Sequence, residues 1–166
     1  RLVLPGDGAF PSCMAALKGQ SGNDLLTGGD YRDLLYGGSG EDKLRGQNGN
    51  DLLAGGSEND KLFGGAGKDT LKGQFGNDLL KGGSGVDLFV FKTGWDFDRI
   101  ADFDAKGNVH DRLDLSGLKS VKGWKDLKNN HLKVDGDDVV INGRNGDVVV
   151  LENVALADLD KGDFVF

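Results

Sequence analysis

Residues 64–90 read Gly64-Gly65-Ala66-Gly67-Lys68-Asp69-Thr70-Leu71-Lys72, then Gly73-Gln74-Phe75-Gly76-Asn77-Asp78-Leu79-Leu80-Lys81, then Gly82-Gly83-Ser84-Gly85-Val86-Asp87-Leu88-Phe89-Val90. The nonapeptides align without a gap. Working back, further units begin at Gly19, Gly28, Gly37, Gly46 and Gly55. Their sixth position is always aspartate: Asp24, Asp33, Asp42, Asp51, Asp60, Asp69, Asp78 and Asp87. Their eighth is always large and apolar: Leu26, Leu35, Leu44, Leu53, Leu62, Leu71, Leu80 and Phe89. The seventh varies freely, as Leu25, Lys43 and Thr70 show. A period that fixes some residues and frees others marks a stacked repeat, and a flexible Gly/Asp linker would not show it. Lys18–Leu26 returns as Arg45–Leu53 and again as Lys72–Leu80, which reads as duplication of a three-unit block.

The unit has a physical reading. Glycines at positions one, two and four let the chain turn tightly, since glycine reaches positive φ at no steric cost. The last three residues place one apolar side chain between two variable ones, which is a very short strand with one inward residue. Turn and strand in alternation wind a flattened coil, two units to a lap, with strands of successive laps paired in parallel about 4.8 Å apart. The sixth-position aspartates then fall into two columns. One is Asp24, Asp42, Asp60, Asp78; the other is Asp33, Asp51, Asp69, Asp87. Stacked carboxylates oppose the fold, and a divalent cation between laps reverses the sign. Calcium suits such a site, being oxygen-seeking, 6–8 coordinate and tolerant of irregular geometry. Magnesium demands a tighter octahedron, and zinc wants His or Cys. Gaps along the columns give about six enclosed sites.

The pattern Gly-Gly-x-Gly-x-Asp-x-apolar-x resembles the RTX (repeats-in-toxin) nonapeptide, the unit of the parallel β-roll. The resemblance covers residues 19–90. It implies calcium ligands at the sixth-position aspartates and at backbone carbonyls of the turn. Those carbonyls are Gly29, Gly38, Gly56, Gly65 and Gly83 at position two, with Gly22, Gly40, Gly49, Gly67, Gly76 and Gly85 at position four. Gln20, Gln47 and Gln74 depart from the second glycine, and Tyr31 and Glu58 from the fourth. Tyr31 has to accept the turn's backbone strain, and weaker or distorted sites are expected beside Tyr31 and Glu58.

Beyond the array the pattern changes. Asp98-Arg99-Ile100-Ala101-Asp102-Phe103 is followed by a predicted hairpin, Val139–Ile141 and Val148–Leu151 about a turn at 142–146, and by Asp163-Phe164-Val165-Phe166. This segment resembles the C-terminal region of serralysin-type proteases and related proteins exported by type I secretion. The resemblance implies a further calcium at Asp98, with Asp96 a weaker candidate, and a C-terminal secretion signal ending in Asp163–Phe166. The plainer reading of those four residues is a last strand packed in a cap. The expected fold is all-β. Residues 1–18 form an N-terminal flank or degenerate capping repeat, 19–90 a parallel β-roll (a β-solenoid of nonapeptide repeats), and 91–166 a C-terminal antiparallel β cap.

Composition narrows the function. With 27 Asp+Glu against 20 Lys+Arg, the net charge of -7 argues against nucleic acid and for a cationic partner. The lone Cys13 permits no intramolecular disulfide, and no long apolar run marks a membrane span. Residues 1–6 do not read as a cleavable leader. No His-Glu-x-x-His, Gly-x-Ser-x-Gly or P-loop is present, so no enzyme is expected in this stretch. Residues 102–107 briefly mimic an EF-hand loop but put Lys106 at a ligand position. Trp95 and Trp124 read as packing residues before carbohydrate platforms, and His110 and His131 receive no role. The expectation is a secreted, extracellular calcium-binding module that folds on extracellular calcium and supports an upstream domain, with the type I apparatus as partner during export. The rival is a module for anionic polysaccharide, as in alginate epimerases, using outward Lys43, Arg45, Lys61, Lys72 and Lys81.

Overall fold

The structure is a computed structural model that describes residues 2–3, 16–106, 110–144 and 146–166. Arg1 and residues 4–15 of the N-terminal flank, Cys13 among them, lie outside the described residues. The repeat strands are β2 (Ala16–Ser21), β3 (Leu25–Gly29), β4 (Leu34–Ser39), β5 (Lys43–Asn48), β6 (Leu52–Ser57), β7 (Lys61–Gly67), β8 (Thr70–Gln74), β9 (Leu79–Gly85) and β10 (Leu88–Lys92), with a short β1 (Leu2–Val3) before them. Among these ten, odd strands belong to one sheet and even strands to the other. Pairing is parallel, one lap on: Leu26 faces Leu44, then Leu62, then Leu80, while Leu17 faces Leu35, then Leu53, then Leu71. Two nonapeptides therefore make one lap, and the chain is a parallel β-solenoid.

The strands are longer than the three residues expected. β4 runs from position seven of one unit to position three of the next, because position one also faces inward. Gly37 and Gly55 are buried in alternation with Leu35 and Leu53. The backbones of neighbouring laps stay paired through Gly38–Gly56 and Ser39–Ser57. Glycine holds that inward place because no other residue fits. A Cβ on Gly37 would overlap Oδ2 of Asp42 and the carbonyl of Gly55.

The core is the expected ladder of eighth-position side chains. Leu26, Leu35, Leu44, Leu53, Leu62, Leu71, Leu80 and Phe89 are all fully buried. Each buried leucine contributes about 1.5–3 kcal/mol relative to exposure. Leu17 joins the ladder at 4 % exposure, two residues before the repeat block begins at Gly19.

Parallel pairing continues past residue 90. β11 (Phe97–Ile100) lies on β9, and β12 (Arg112–Gly117) lies on β10. Ile100 stacks on Leu80 and Leu113 on Phe89, so the ladder is unbroken although the connections have lengthened. The antiparallel part is a meander of β13 (Leu132–Asp135), β14 (Asp138–Arg144) and β15 (Asp147–Leu151). It joins the roll through β15, which runs parallel to β11. Strand β13 was missed in the sequence, although Gly136-Asp137 between paired Asp135 and Asp138 is a two-residue hairpin signal. The predicted 142–146 turn is tighter than expected, since pairing holds as far as Arg144 and Asp147. A final β16 (Phe164–Val165) pairs with β12, and Phe164 stacks between Trp124 (5.4 Å) and Phe166 (6.0 Å). Trp95 packs edge-on against Phe91 at 5.8 Å. Both tryptophans are packing residues.

Candidate metal centres

The aspartate columns form as the period requires, and the backbone fixes them. The N–H of Asp24 donates to Oδ1 of Asp42 at 2.7 Å, Asp42 to Asp60 at 2.8 Å, and Asp60 to Asp78 at 2.8 Å. In the other column Asp33 donates to Asp51 at 2.7 Å, Asp51 to Asp69 at 2.8 Å, and Asp69 to Asp87 at 2.8 Å. Each aspartate carbonyl also accepts from the residue following the next aspartate, for example Lys43 N–H to Asp24 at 2.8 Å. Oδ2 of Asp24, Asp42, Asp51, Asp60, Asp69, Asp78 and Asp87 is buried with no hydrogen-bond partner.

Buried, unpartnered carboxylate oxygens are costly, and the titration behaviour says so. Burial, reinforced by neighbouring aspartates, pushes Asp51 and Asp60 up to about 7. Burial does the same to Asp78 and Asp87, up to about 6. Asp42 and Asp69 are raised in the same direction by burial. Among the described residues no cation pairs with these aspartates, and a hard dication fits the donor set. The columns offer only oxygen: carboxylates and the carbonyls of the turns.

The glycine-rich turns aim those carbonyls along the roll. A Cβ on Gly38 would meet the carbonyl of Gln20, on Gly56 that of Gly38, on Gly65 that of Gln47, and on Gly83 that of Gly65. At position four, Gly40 faces Gly22, Gly49 faces Tyr31, Gly67 faces Gly49, Gly76 faces Glu58, and Gly85 faces Gly67. Gln20, Gln47, Tyr31 and Glu58 thus direct their carbonyls as the glycines do, and they belong in the candidate set that a glycine count misses. Gly29 does not take positive φ, and among the described residues it crowds no neighbouring lap.

Tyr31 (φ 80) and Glu58 (φ 73) are forced into the left-handed region, as are Gln20, Gln47 and Gln74. Glu58 gains something there, because its Oε2 accepts from Gly40 N–H at 2.8 Å. Tyr31 is 45 % exposed and packs little. Tyr31→Gly is therefore expected to stabilise the calcium-loaded protein by about 1 kcal/mol, and Glu58→Gly by less. Urea unfolding in saturating calcium checks this. A destabilised Tyr31→Gly would mean that the ring contributes packing that outweighs the strain.

The two columns continue into the cap. Asp98 receives the Asp78 N–H at 2.9 Å and is fully buried, with Oδ2 unpartnered. Burial, then Asp78, Asp96 and Asp147, push it up to about 9. Asp96 itself is exposed. Asp111 closes the second column, receiving Asp87 N–H at 2.9 Å and Asp104 N–H at 3.0 Å. Asp102 accepts from Gly82 N–H at 2.9 Å and Gly83 N–H at 3.0 Å, standing where another turn would be. Neither Asp102 nor Asp111 was singled out as a site residue, because both break the nine-residue spacing. The histidines have partners too. His110 Nδ1 pairs with the buried Asp163 at 2.5 Å, and His131 Nδ1 lies 2.5 Å from the Asn142 carbonyl.

This geometry is a parallel β-solenoid whose turns are lined with buried carboxylate oxygens. Residues 18–53 and 54–89 match the model of the RTX calcium-binding nonapeptide repeat (4 copies). Residues 18–89 are RTX calcium-binding repeats, and such repeats bind calcium. The chain is similar to the AlgE6R3 subunit of the mannuronan C5-epimerase of Azotobacter vinelandii, with 26% identity over 99% of this chain and 86% of that one, at a TM-score of 0.54. It shares its fold with the extracellular lipase LipA of Serratia marcescens, with 17% identity over 87% of this chain, at a TM-score of 0.51. The chain spans 38% of that lipase. No curated protein sequence matches it.

Proposed function

We propose that this chain is a calcium-switched folding module of a protein exported by type I secretion. It stays unfolded at low cytosolic calcium and folds outside the cell, where it supports the stability of an upstream domain. The observation that carries the reading is the two columns in which the buried Oδ2 of Asp24, Asp42, Asp60 and Asp78, and of Asp51, Asp69 and Asp87, has no hydrogen-bond partner among the described residues. Asp24, Asp33, Asp42, Asp51, Asp60, Asp69, Asp78 and Asp87, with Asp98 at one end, are the carboxylate ligands. The glycine-turn carbonyls complete the shells, for about six ions in the roll. Bound calcium supplies the positive charge that lets these carboxylates stack. Without it the aspartates repel one another across laps, so binding free energy becomes folding free energy. Extracellular modules of this kind bind calcium at about 10⁻⁴–10⁻³ M, between cytosolic and external concentrations. No catalytic role is assigned to this stretch.

Far-UV circular dichroism of metal-free protein tests the switch. A coil spectrum should turn cooperatively to β near millimolar calcium and not with magnesium. A β spectrum at neutral pH before calcium is added would sink the proposal.

A second reading has its own observation. On the outer face of the odd-numbered sheet, Lys43 pairs with Lys61, and Arg45 and Lys81 flank Phe63 on adjacent strands. Lys72 lies on the other sheet. These basic rungs run along the roll of a protein with net charge -7. They suit a linear anionic polysaccharide, the class of polymer on which a mannuronan epimerase acts. Titrating oligomannuronate into calcium-loaded protein tests this. Binding that Lys43→Gln with Lys61→Gln abolishes supports it, and no binding at millimolar ligand removes it.

A further inference from the structure

The nine-stranded sheet begins on the two-residue β1 and ends on β13. Along β13 the pairing with β14 runs from Leu132 opposite Ile141 to Asp135 opposite Asp138, around the two-residue turn 136–137. A two-residue hairpin closes on a hydrogen-bonded pair, and such pairs alternate with open ones. Asp135 and Lys133 therefore turn their N–H and C=O groups to β14, and Val134 and Leu132 turn theirs outward. Lys133, Val134 and Asp135 are all exposed. A free edge of this kind is a template for another strand unless charge repels it. The side chains sort by face. Val134 aligns with the buried Val139 and Leu151, so it lies on the core side of the sheet, yet it is 51 % exposed. There it lines an open groove of about 570 Å³ with Val154, Ala155 and Leu156, and Leu156 is also exposed. Lys133 aligns with Val140 and Val150 and lies on the opposite face, as does Asp135 two residues on. Neither Lys133 nor Asp135 forms an ion pair among the described residues.

We infer that β13 pairs antiparallel with β13 of a second copy of this chain, about a two-fold axis at Val134. The sheet of one copy then runs on into the sheet of the other. The charges choose both the occupant and the register. Lys133 and Asp135 flank Val134 symmetrically, so the edge is complementary to itself. With the axis at Val134, the outward N–H and C=O of Val134 bond their counterparts, and Lys133 of each copy lies opposite Asp135 of the other. Opposite charges facing across a strand pair are favourable. With the axis moved to Lys133, the outward backbone groups can still bond, but the two Lys133 side chains face each other, which like charge opposes. An edge lysine by itself discourages pairing, and Asp135 turns it into the mark of one register. On the other face the two Val134 side chains meet and bring the two apolar grooves together. The contact is isologous, so it closes at the dimer. β13 is only four residues long, which places the interface at the small, reversible end of the range.

Sedimentation velocity of the calcium-loaded chain over a concentration series tests this. Monomer should pass to dimer, and to nothing larger, as concentration rises. Lys133→Asp and Asp135→Lys, each alone, set like charges opposite one another and should weaken the dimer at least about tenfold. Combined in one chain they exchange the two charges and should restore wild-type dimerisation. Hydrogen exchange on the unaltered protein gives a second readout. Amide protection of the peptide that carries Val134 should rise with concentration, while that of the repeat strands stays constant. A chain that remains monomeric throughout the series overturns the proposal. So does a dimer indifferent to the single reversals, or a double variant that fails to restore it. Growth into open-ended oligomers, which head-to-tail pairing of β13 with β1 would give, also overturns it. If a reversal leaves the chain unfolded by circular dichroism, concentration-dependent exchange at Val134 decides alone.

Discussion

Without calcium, the protein is expected to be a coil at about pH 8 and to gain β structure when acidified to about pH 4.5. The sign follows from the buried aspartates. Asp51 and Asp60 titrate at about 7 in the fold, Asp78, Asp87 and Asp111 at about 6, and Asp98 at about 9, against an ordinary 3.8. A folded value above the unfolded one means that the folded state holds its proton more tightly. The stabilisation is full below about pH 4, falls as pH rises toward 6–7, and at Asp98 is exhausted only near 9. Protons thus do part of what calcium does, by removing the charge that stacks badly. With saturating calcium the slope inverts, since the ion binds ionised carboxylates and acid displaces it. Two thermal-melt series against pH, one with chelator and one with calcium, should therefore slope in opposite directions. A chelated protein that remains coil throughout, or a calcium-loaded one that grows more stable in acid, would detach the aspartates from the folding switch.

The roll was legible because its period is rigid. Asp24 to Asp87 and Leu26 to Phe89 each answer to a single geometric need, repeated lap after lap, so spacing alone placed them in columns and ladder. Strand length was less legible. The inward position one carries glycine, and a residue without a side chain gives no hydrophobic signal. Only the collision of a Cβ with Asp42 Oδ2 and the Gly55 carbonyl shows why it must be glycine. The cap was least legible. Ile100 and Leu113 extend the ladder at twenty and twenty-four residues from Leu80 and Phe89, and no nine-residue search finds them. Asp102 and Asp111 were hidden for a related reason. Their positions depend on how loop 101–111 returns the chain to the roll, and that is a tertiary fact. Asp98 came from family resemblance and not from the period.

Gly67→Ala is expected to cost about 3 kcal/mol or more of stability in calcium, while Gly22→Ala costs about 1 kcal/mol. Both glycines sit at position four with positive φ, +135 at Gly67 and +95 at Gly22. Each alanine therefore meets a backbone penalty for positive φ. What differs is the lap beneath. A methyl on Gly67 would overlap the carbonyl oxygen of Gly49, whereas among the described residues nothing lies within 4 Å of one on Gly22. The excess loss measures how tightly one turn is laid on the next. It also reaches the calcium sites, because the Gly49 carbonyl is a candidate ligand and must move aside. Gly67→Ala should thus raise the calcium midpoint as well as lower stability, and Gly22→Ala should leave the midpoint nearly unchanged. Denaturant unfolding at fixed calcium, with calcium titrations of both variants, separates the two effects. Equal losses would assign the glycines to local turn geometry alone. Unequal losses would show that contact between laps, and not the single turn, is what the fourth glycine serves.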